Sequence, residues 1–438
     1  MLNIGAAAKI INGNIGDWIQ GAGVFKRAAS IRDNLEGNAL YIDNGGEKLL
    51  LISCDLGVVI SDIVKAARTQ ISKLTDIPER SIIIAGTHTH SGPSVLRTSY
   101  RKKIDAAYYE RLTVWLAELA EAAVASAVPG KIGWGRGSAG IGYNRRCCWG
   151  DGTHSMHRTP GREDFIGLEG PDDPDHTVIA AVDTDDNVIA ILQNNTTHPT
   201  CFYGADFFSA DCPGASRDFL RNIFGQIPVL FFNGAFGDIS IDNQCAPGNK
   251  QDREQRMLRA AHLMTGETLR LLHEMSFCDD LAIKHQFEDM TIPVRLPEKD
   301  KIAWAKDIIR QLDAGEDVKS MDQIFAWGTV DLDNTFGGTP KPTDIVPIHV
   351  VMLGELAIVT QPCELFCRFG LDIKRRSPFA TTAIFGIADG YNGYCPSLEA
   401  IMGGGYSGAP ISWTRLSEQA GYQIVDTASR LLREIKQK

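Results

Sequence analysis

The run of residues 81–93, SIIIAGTHTHSGP, constrains the fold more than any other stretch of the chain. Ile82, Ile83 and Ile84 follow one another without a polar break, which predicts a strand buried on both faces. His88 and His90 come next, two residues apart, and Gly92-Pro93 then breaks the run. In an extended chain residues two apart share a face, so both imidazoles are predicted to point into one crevice at the strand's carboxyl end. Open α/β sheets bind their ligands there. Either histidine alone reads as a hydrogen-bonded structural residue. Together they balance that reading against a metal or catalytic site.

The flanking segments say what kind of sheet holds this strand. Residues 48–55 read as a buried strand ending in Asp55, and residues 60–74 carry Ile60, Ile63, Val64, Ala67, Ile71 and Leu74 at helical spacing. Strand, helix and strand within about forty residues predict neighbouring strands of one sheet. Short strands and glycine turns are expected over residues 9–44. An amphipathic helix is predicted over 105–128, stopped by Pro129-Gly130, then a glycine-rich stretch to Gly142 and a hydrophilic loop over 149–175. Strands 177–182 and 188–194 form a hairpin, and the second leads to His198 before Pro199. Asp211 is a predicted N-cap, with Pro213 in the first turn of a helix near 214–224.

Strand 228–233 then runs into a turn presenting Asp238 or Ser240. Helices are expected over 251–275 and 299–314, an edge strand pair over 281–294, and strands over 344–353, 356–360 and 382–387. A helix opened by residues 362–366 and a closing helix over 414–435 complete the pattern. The expected architecture is α/β, a mixed β-sheet core flanked by α-helices, in a single domain spanning residues 1–438.

Charge and composition exclude some functions. With 22% charged and 44% hydrophobic residues the 438-residue chain is of ordinary globular type, and no window approaches a membrane span. A net charge of −10 without a basic stripe argues against nucleic-acid binding. The amino terminus shows no secretory pattern, and ten scattered cysteines, Cys147-Cys148 adjacent among them, suit reduced thiols in the cytoplasm. Cys363 and Cys367 read as helix-face thiols. The expected partner is a small-molecule substrate, with no membrane insertion, and self-association is left open.

Four strand ends carry side chains suited to chemistry: His88 with His90, His198, Glu364, and Tyr391 with Tyr394. Imidazoles plus one carboxylate form a reasonable zinc set, because this borderline-soft ion takes nitrogen and oxygen ligands. The remaining histidines, His154, His157, His176, His262, His273, His285 and His349, read as structural or surface residues.

In the same order along the chain, the segments 85–93, 144–146, 195–200, 209–214, 233–240, 362–364 and the tyrosine block 391–394 with Tyr406 resemble the motifs of the neutral ceramidase family, zinc-dependent amidases. The resemblance covers nearly the whole chain. It implies zinc held by His88, His198, Glu364 and Tyr394, an active-site serine at Ser240, and Arg145, His90 and Tyr406 around the reacting amide. Ile241-Asp242-Asn243 follows Ser240 where the family has Pro-Asn, residues 149–175 are hydrophilic, and the family's carboxyl-terminal immunoglobulin-like domain is not expected. These departures point to a smaller, more polar amide or ester than ceramide. Two other readings are a two-metal hydrolase in which His88 and His90 serve different ions with Asp55 or Asp211, acting on an ester, lactone or cyclic amide, and a non-catalytic ligand-binding module.

Overall fold

A computed structural model describes residues 1–21, 26–96, 106–246 and 252–437. Strands with apolar residues at successive positions have two faces to bury, and here each of two mixed sheets is covered on both. The larger, nine-stranded among the described residues, runs Val229–Asn233, Val188–Asn195, Asp175–Asp183, Val128–Ser138, Leu2–Ile10, Glu36–Asp43, Lys48–Cys54, Ile82–Gly86, with Phe277–Cys278 pairing beside Val128–Ser138. The smaller runs Ile283–Pro293, Thr343–Leu353, Leu356–Thr360, Thr381–Phe385.

The pleat assigns the faces. Leu49, Leu51, Ile83, Leu192, Leu230 and Phe232 of the larger sheet are buried against Val351, Ile358, Ala383 and Phe385 of the smaller. Phe232 and Phe385 stack with ring centroids 4.1 Å apart. The alternate residues Leu50, Ile52, Ile82 and Ile84 pack on the helices Ser61–Thr75 and Ala106–Ala125. On the outer face of the smaller sheet, Val350 and Val359 meet Phe369 and Ile373 of the helix Cys367–Arg376 and Ile424 and Leu431 of the helix Ala420–Gln437. The layers are therefore helix, sheet, sheet, helix, which is the expected α/β class with a second sheet added.

Most pairings are antiparallel. Lys48–Cys54 with Ile82–Gly86, Val188–Asn195 with Val229–Asn233, and Leu356–Thr360 with Thr381–Phe385 are parallel. The segments that leave the carboxyl ends of these strands meet where the two sheets are laced together. Asn194 Nδ2 donates to Phe232 O at 2.9 Å and to Ile384 O at 2.8 Å, and the amide of Asp389 donates to Ile84 O at 2.8 Å.

Several local expectations are corrected. The first strand occupies Leu2–Ile10, and the glycine-rich stretch is part of the strand Val128–Ser138. A Cβ on Gly133 would lie 2.9 Å from the Phe277 ring and one on Gly135 3.1 Å from Leu271, so these glycines let neighbouring elements approach closely. The helix before it ends at Ala125, ahead of Pro129-Gly130; its predicted start, Asp105, and Gln251 at the next long helix lie outside the described residues. The 149–175 segment contains short strands, Cys147–Trp149, His154–Ser155 and Phe165–Leu168 forming one small sheet. Residues 281–294 give one edge strand, Ile283–Pro293. Glu364 lies in the strand Cys363–Leu365, and the helix starts only at Cys367. The last helix begins at Ala420. The helix Ser320–Phe336 had no clear signal, with Lys319 at its N-cap position and Gly328 in its middle. Asp211 is the first residue of the helix Asp211–Phe224, with Ala210 in the N-cap position.

Candidate functional site

The strand of the histidine motif ends at Gly86. His88 adopts φ 71°, a left-handed conformation uncommon for a residue with a side chain, so a turn and not the pleat brings His88 and His90 together. The amides of Thr87 and His88 donate to Cys54 O and Leu56 O at 2.8 and 2.9 Å, which ties this turn to the neighbouring chain. Gly21, at φ 77°, closes the other side: a Cβ there would lie 2.5 Å from His90 Nδ1.

His88 Nε2 lies 3.1 Å from His90 Nε2 and 3.2 Å from His198 Nε2. Glu364 Oε2 stands 3.2 Å from His198 Nε2 and 3.5 Å from His88 Nε2. The opposite nitrogens all face main-chain carbonyls: His88 Nδ1 is 2.6 Å from Gly57 O, His198 Nδ1 3.1 Å from Phe236 O, and His90 Nδ1 3.3 Å from Gly21 O. A ring nitrogen facing a carbonyl must be the N–H donor, so the Nε2 atoms are the ones turned inward. Burial, and next the neighbouring His88, pushes His90 down to about 3. Burial, and next Arg145, holds His198 well below its ordinary value. Burial would raise Glu364, but His88 and His198 outweigh it and keep the carboxyl ionised.

Tyr391 Oη donates to Glu364 Oε1 at 2.7 Å, whereas Glu364 Oε2 is buried without a hydrogen-bond partner. Arg145 Nη2 donates to Gly237 O at 2.9 Å and to Tyr394 Oη at 3.1 Å, and lies 3.1 Å from His198 Nε2. Burial, and next Glu364, raises the Tyr394 phenol well above its ordinary value. Three ring nitrogens converging beside a buried carboxylate oxygen suit a divalent cation. The imidazole N–H to carbonyl contacts are the kind of support that orients metal ligands.

Of the residues named from sequence, His88, His90, His198 and Glu364 share one locus and Tyr394 adjoins it through Arg145. His90, assigned above to the reacting amide, stands close enough to the other two imidazoles to share an ion with them. Arg145 leaves the short strand Tyr143–Asn144, which pairs antiparallel with Ile239–Ser240, and its amide donates to Asp238 O at 2.8 Å. Ser240 is buried and its Oγ accepts from the Asp242 amide at 3.1 Å. Ser240, Arg145 and Tyr406 line a cavity of about 460 Å³ together with His88, His90 and Glu364. Tyr406 packs against Trp413 and edge-on to Tyr394.

Asp55 and Asp211 are placed elsewhere. Asp55 accepts from Arg217 Nη1 at 2.7 Å and from the Glu36 amide at 2.9 Å. Asp211 accepts from the amides of Phe202 and Cys212 and clusters with the thiols of Cys201 and Cys212. Neither supplies a ligand beside His88 and His90, which removes the stated basis of the two-metal reading. His157, read above as structural or surface, lines the cavity, as do Asp242, Arg253 and Arg256. As single polar residues they carry no sequence signal. His154, by contrast, pairs with Glu169, and His176 is buried with Nε2 2.9 Å from Thr268 Oγ1.

Two face-packed mixed sheets with histidines, a carboxylate and a tyrosine converging at their strand ends define the class of protein. The chain has the neutral ceramidase fold. Among solved structures it is similar to the neutral ceramidase from Pseudomonas aeruginosa, with TM-score 0.75 and 15% identity, covering 100% of this chain and 74% of that one. A second, a ceramidase complexed with C2, gives TM-score 0.75 and 15% identity, covering 100% and 75%. No family model and no curated protein matches the chain. Among the described residues no helix is long and apolar enough to cross a membrane.

Proposed function

We propose that the protein is a zinc-dependent hydrolase that cleaves an amide, N-acyl bond of a small polar substrate. The observation that carries this reading is the convergence of the His88, His90 and His198 Nε2 atoms beside the partnerless Oε2 of Glu364. His88, His198, Glu364 and Tyr394 would hold the ion, with His90 in reach of it. When bound, zinc supplies Lewis-acid chemistry, which activates water and polarises carbonyls. The chain's own groups do the rest. Arg145 directs its guanidinium to the site where negative charge develops on an attacked carbonyl oxygen, and the Tyr406 phenol completes that donor set. Ser240, whose Oγ is engaged as an acceptor, has its proton free to orient a water or the acyl oxygen. His90, whose Nε2 stands 3.1 Å from that of His88, lines the cavity and would orient the reacting amide or a water beside the ion.

The charged side chains of Asp242, Arg253 and Arg256 in the cavity wall favour a compact polar amide over ceramide, while Val58, Met156, Met321 and Ile324 leave apolar wall for its acyl group. Ten unpaired cysteines favour a cytoplasmic setting. The test is hydrolysis of short N-acyl amines by metal-loaded and chelator-stripped protein. Activity that is lost on stripping and restored by zinc supports the proposal; equal activity in both contradicts it.

A further inference from the structure

The cavity contains more charge than the proposed chemistry uses. Arg145 and Glu364 belong to the metal locus, but Asp242, Arg253 and Arg256 line the same cavity. Arg253 and Arg256 lie three apart on the helix Arg253–Glu274, hence on one face. Arg256 Nη1 is 2.8 Å from each Asp242 carboxylate oxygen, and the Asp242 amide donates to Ser240 Oγ at 3.1 Å. Asp242 thus ties a guanidinium to the segment of the active-site serine. Asp242 can neutralise one arginine only. The buried Arg256 Nε has no hydrogen-bond partner, and Arg253 has no ion pair among the described residues. His157 adds an imidazole to the same cavity, and its side chain makes no hydrogen bond among the described residues. With three arginines against two carboxylates the cavity is cationic before any divalent ion enters.

We propose that Arg253 and Arg256, with His157 beside them, form a subsite for an anionic group on the substrate, a carboxylate or a phosphonate-like oxyanion close to the scissile amide. This rests on the hydrolase reading and narrows it to N-acylated amino acids or their phosphonate analogues. Guanidinium groups suit such oxyanions because their N–H donors match the spacing of the oxygens. Anchoring the anion beside Ser240 would spend binding energy on placing the amide.

Matched probes separate the outcomes: N-acetylalanine, N-acetylalaninamide and N-acetyl-aminomethylphosphonate, each assayed for hydrolysis with zinc-loaded protein and for binding by calorimetry. The carboxylate is expected to exceed the carboxamide in kcat/KM by about ten- to hundredfold, the worth of one charge-assisted contact. Arg253→Gln should bring that ratio towards one, Arg253→Lys should keep most of it, and raising salt should weaken binding of the anion. Preference for the phosphonate over the carboxylate would assign the subsite to the larger oxyanion and supports it equally. Equal handling of acid and carboxamide by the wild-type protein, or a ratio unmoved by Arg253→Gln, overturns the subsite while leaving the hydrolase reading intact. Tight, Arg253-dependent binding of the anions with no hydrolysis of any probe upholds the subsite and counts against the hydrolase.

Discussion

At the scale of single residues the centre of the site is a set of imidazoles turned inward by what lies behind them. The carbonyls of Gly21, Gly57 and Phe236 do this for the histidines, and Tyr391 does it for Glu364. Replacing Tyr391 by Phe removes one hydrogen bond and little volume. It should weaken zinc affinity about ten- to hundredfold, read by titration against a metal buffer, with the fold kept. His88→Ala removes one of the proposed ligands and should abolish stoichiometric zinc binding, measured by elemental analysis. Substitution of Ser240 by Ala should lower kcat by about two orders of magnitude or more if its proton takes part in the transition state, with zinc content unchanged. That His88, His198 and Glu364 would meet, with Tyr394 beside them, was legible because each sits in a short motif at a strand end, and the motifs recur in a fixed order. His157, Arg253 and Arg256 were not. An isolated polar residue has no period, and only the folded chain shows that it faces the cavity.

Elements behave differently from residues. The long strands could be read from their unbroken apolar runs, but two inferences failed, one where the backbone departs from the pleat and one where glycines hid a strand. His88 and His90 meet through a left-handed turn, and the strand Val128–Ser138 was masked by glycines whose missing side chains are what permit its packing. Gly21→Ala tests the turn. The new methyl would have to occupy space 2.5 Å from His90 Nδ1 at a φ that disfavours any side chain. It should cost at least about 1 kcal/mol in denaturant unfolding and displace His90. The strand Asp175–Asp183 carries a second test through His176, which burial pushes down to about 4. Its folded pKa lies below the unfolded one, so the unfolded chain takes up the proton first. The neutral imidazole's contribution is intact above about pH 6.5 and is lost as the pH falls towards 4. By pH 5 the wild-type protein should have lost about 2 kcal/mol through this group. Any stability gap between wild type and His176→Gln should therefore shrink on acidification, as followed by urea unfolding at several pH values.

The whole molecule explains why residues more than 250 positions apart can meet. Two sheets share an interior, and Asn194 laces them at the end where the site forms. Phe232 stacks on Phe385 across that interior, and Phe232→Ala should cost about 3–5 kcal/mol, read as a lowered denaturation midpoint. The mixed-sheet class was legible in the sequence; the packing of one sheet on another was not, because a strand buried on both faces looks the same whether a helix or a second sheet covers it. The proposed metal site is then the place where both sheets would contribute to one ion: His88 and His198 from the larger, Glu364 and Tyr394 from segments following the smaller. Diffraction at the zinc absorption edge from crystals of the purified protein tests this most directly. An anomalous peak at the convergence of the His88, His198 and Glu364 side chains is the expected result. A protein that loads no zinc there, or binds it only at the thiols of Cys201 and Cys212, would contradict it.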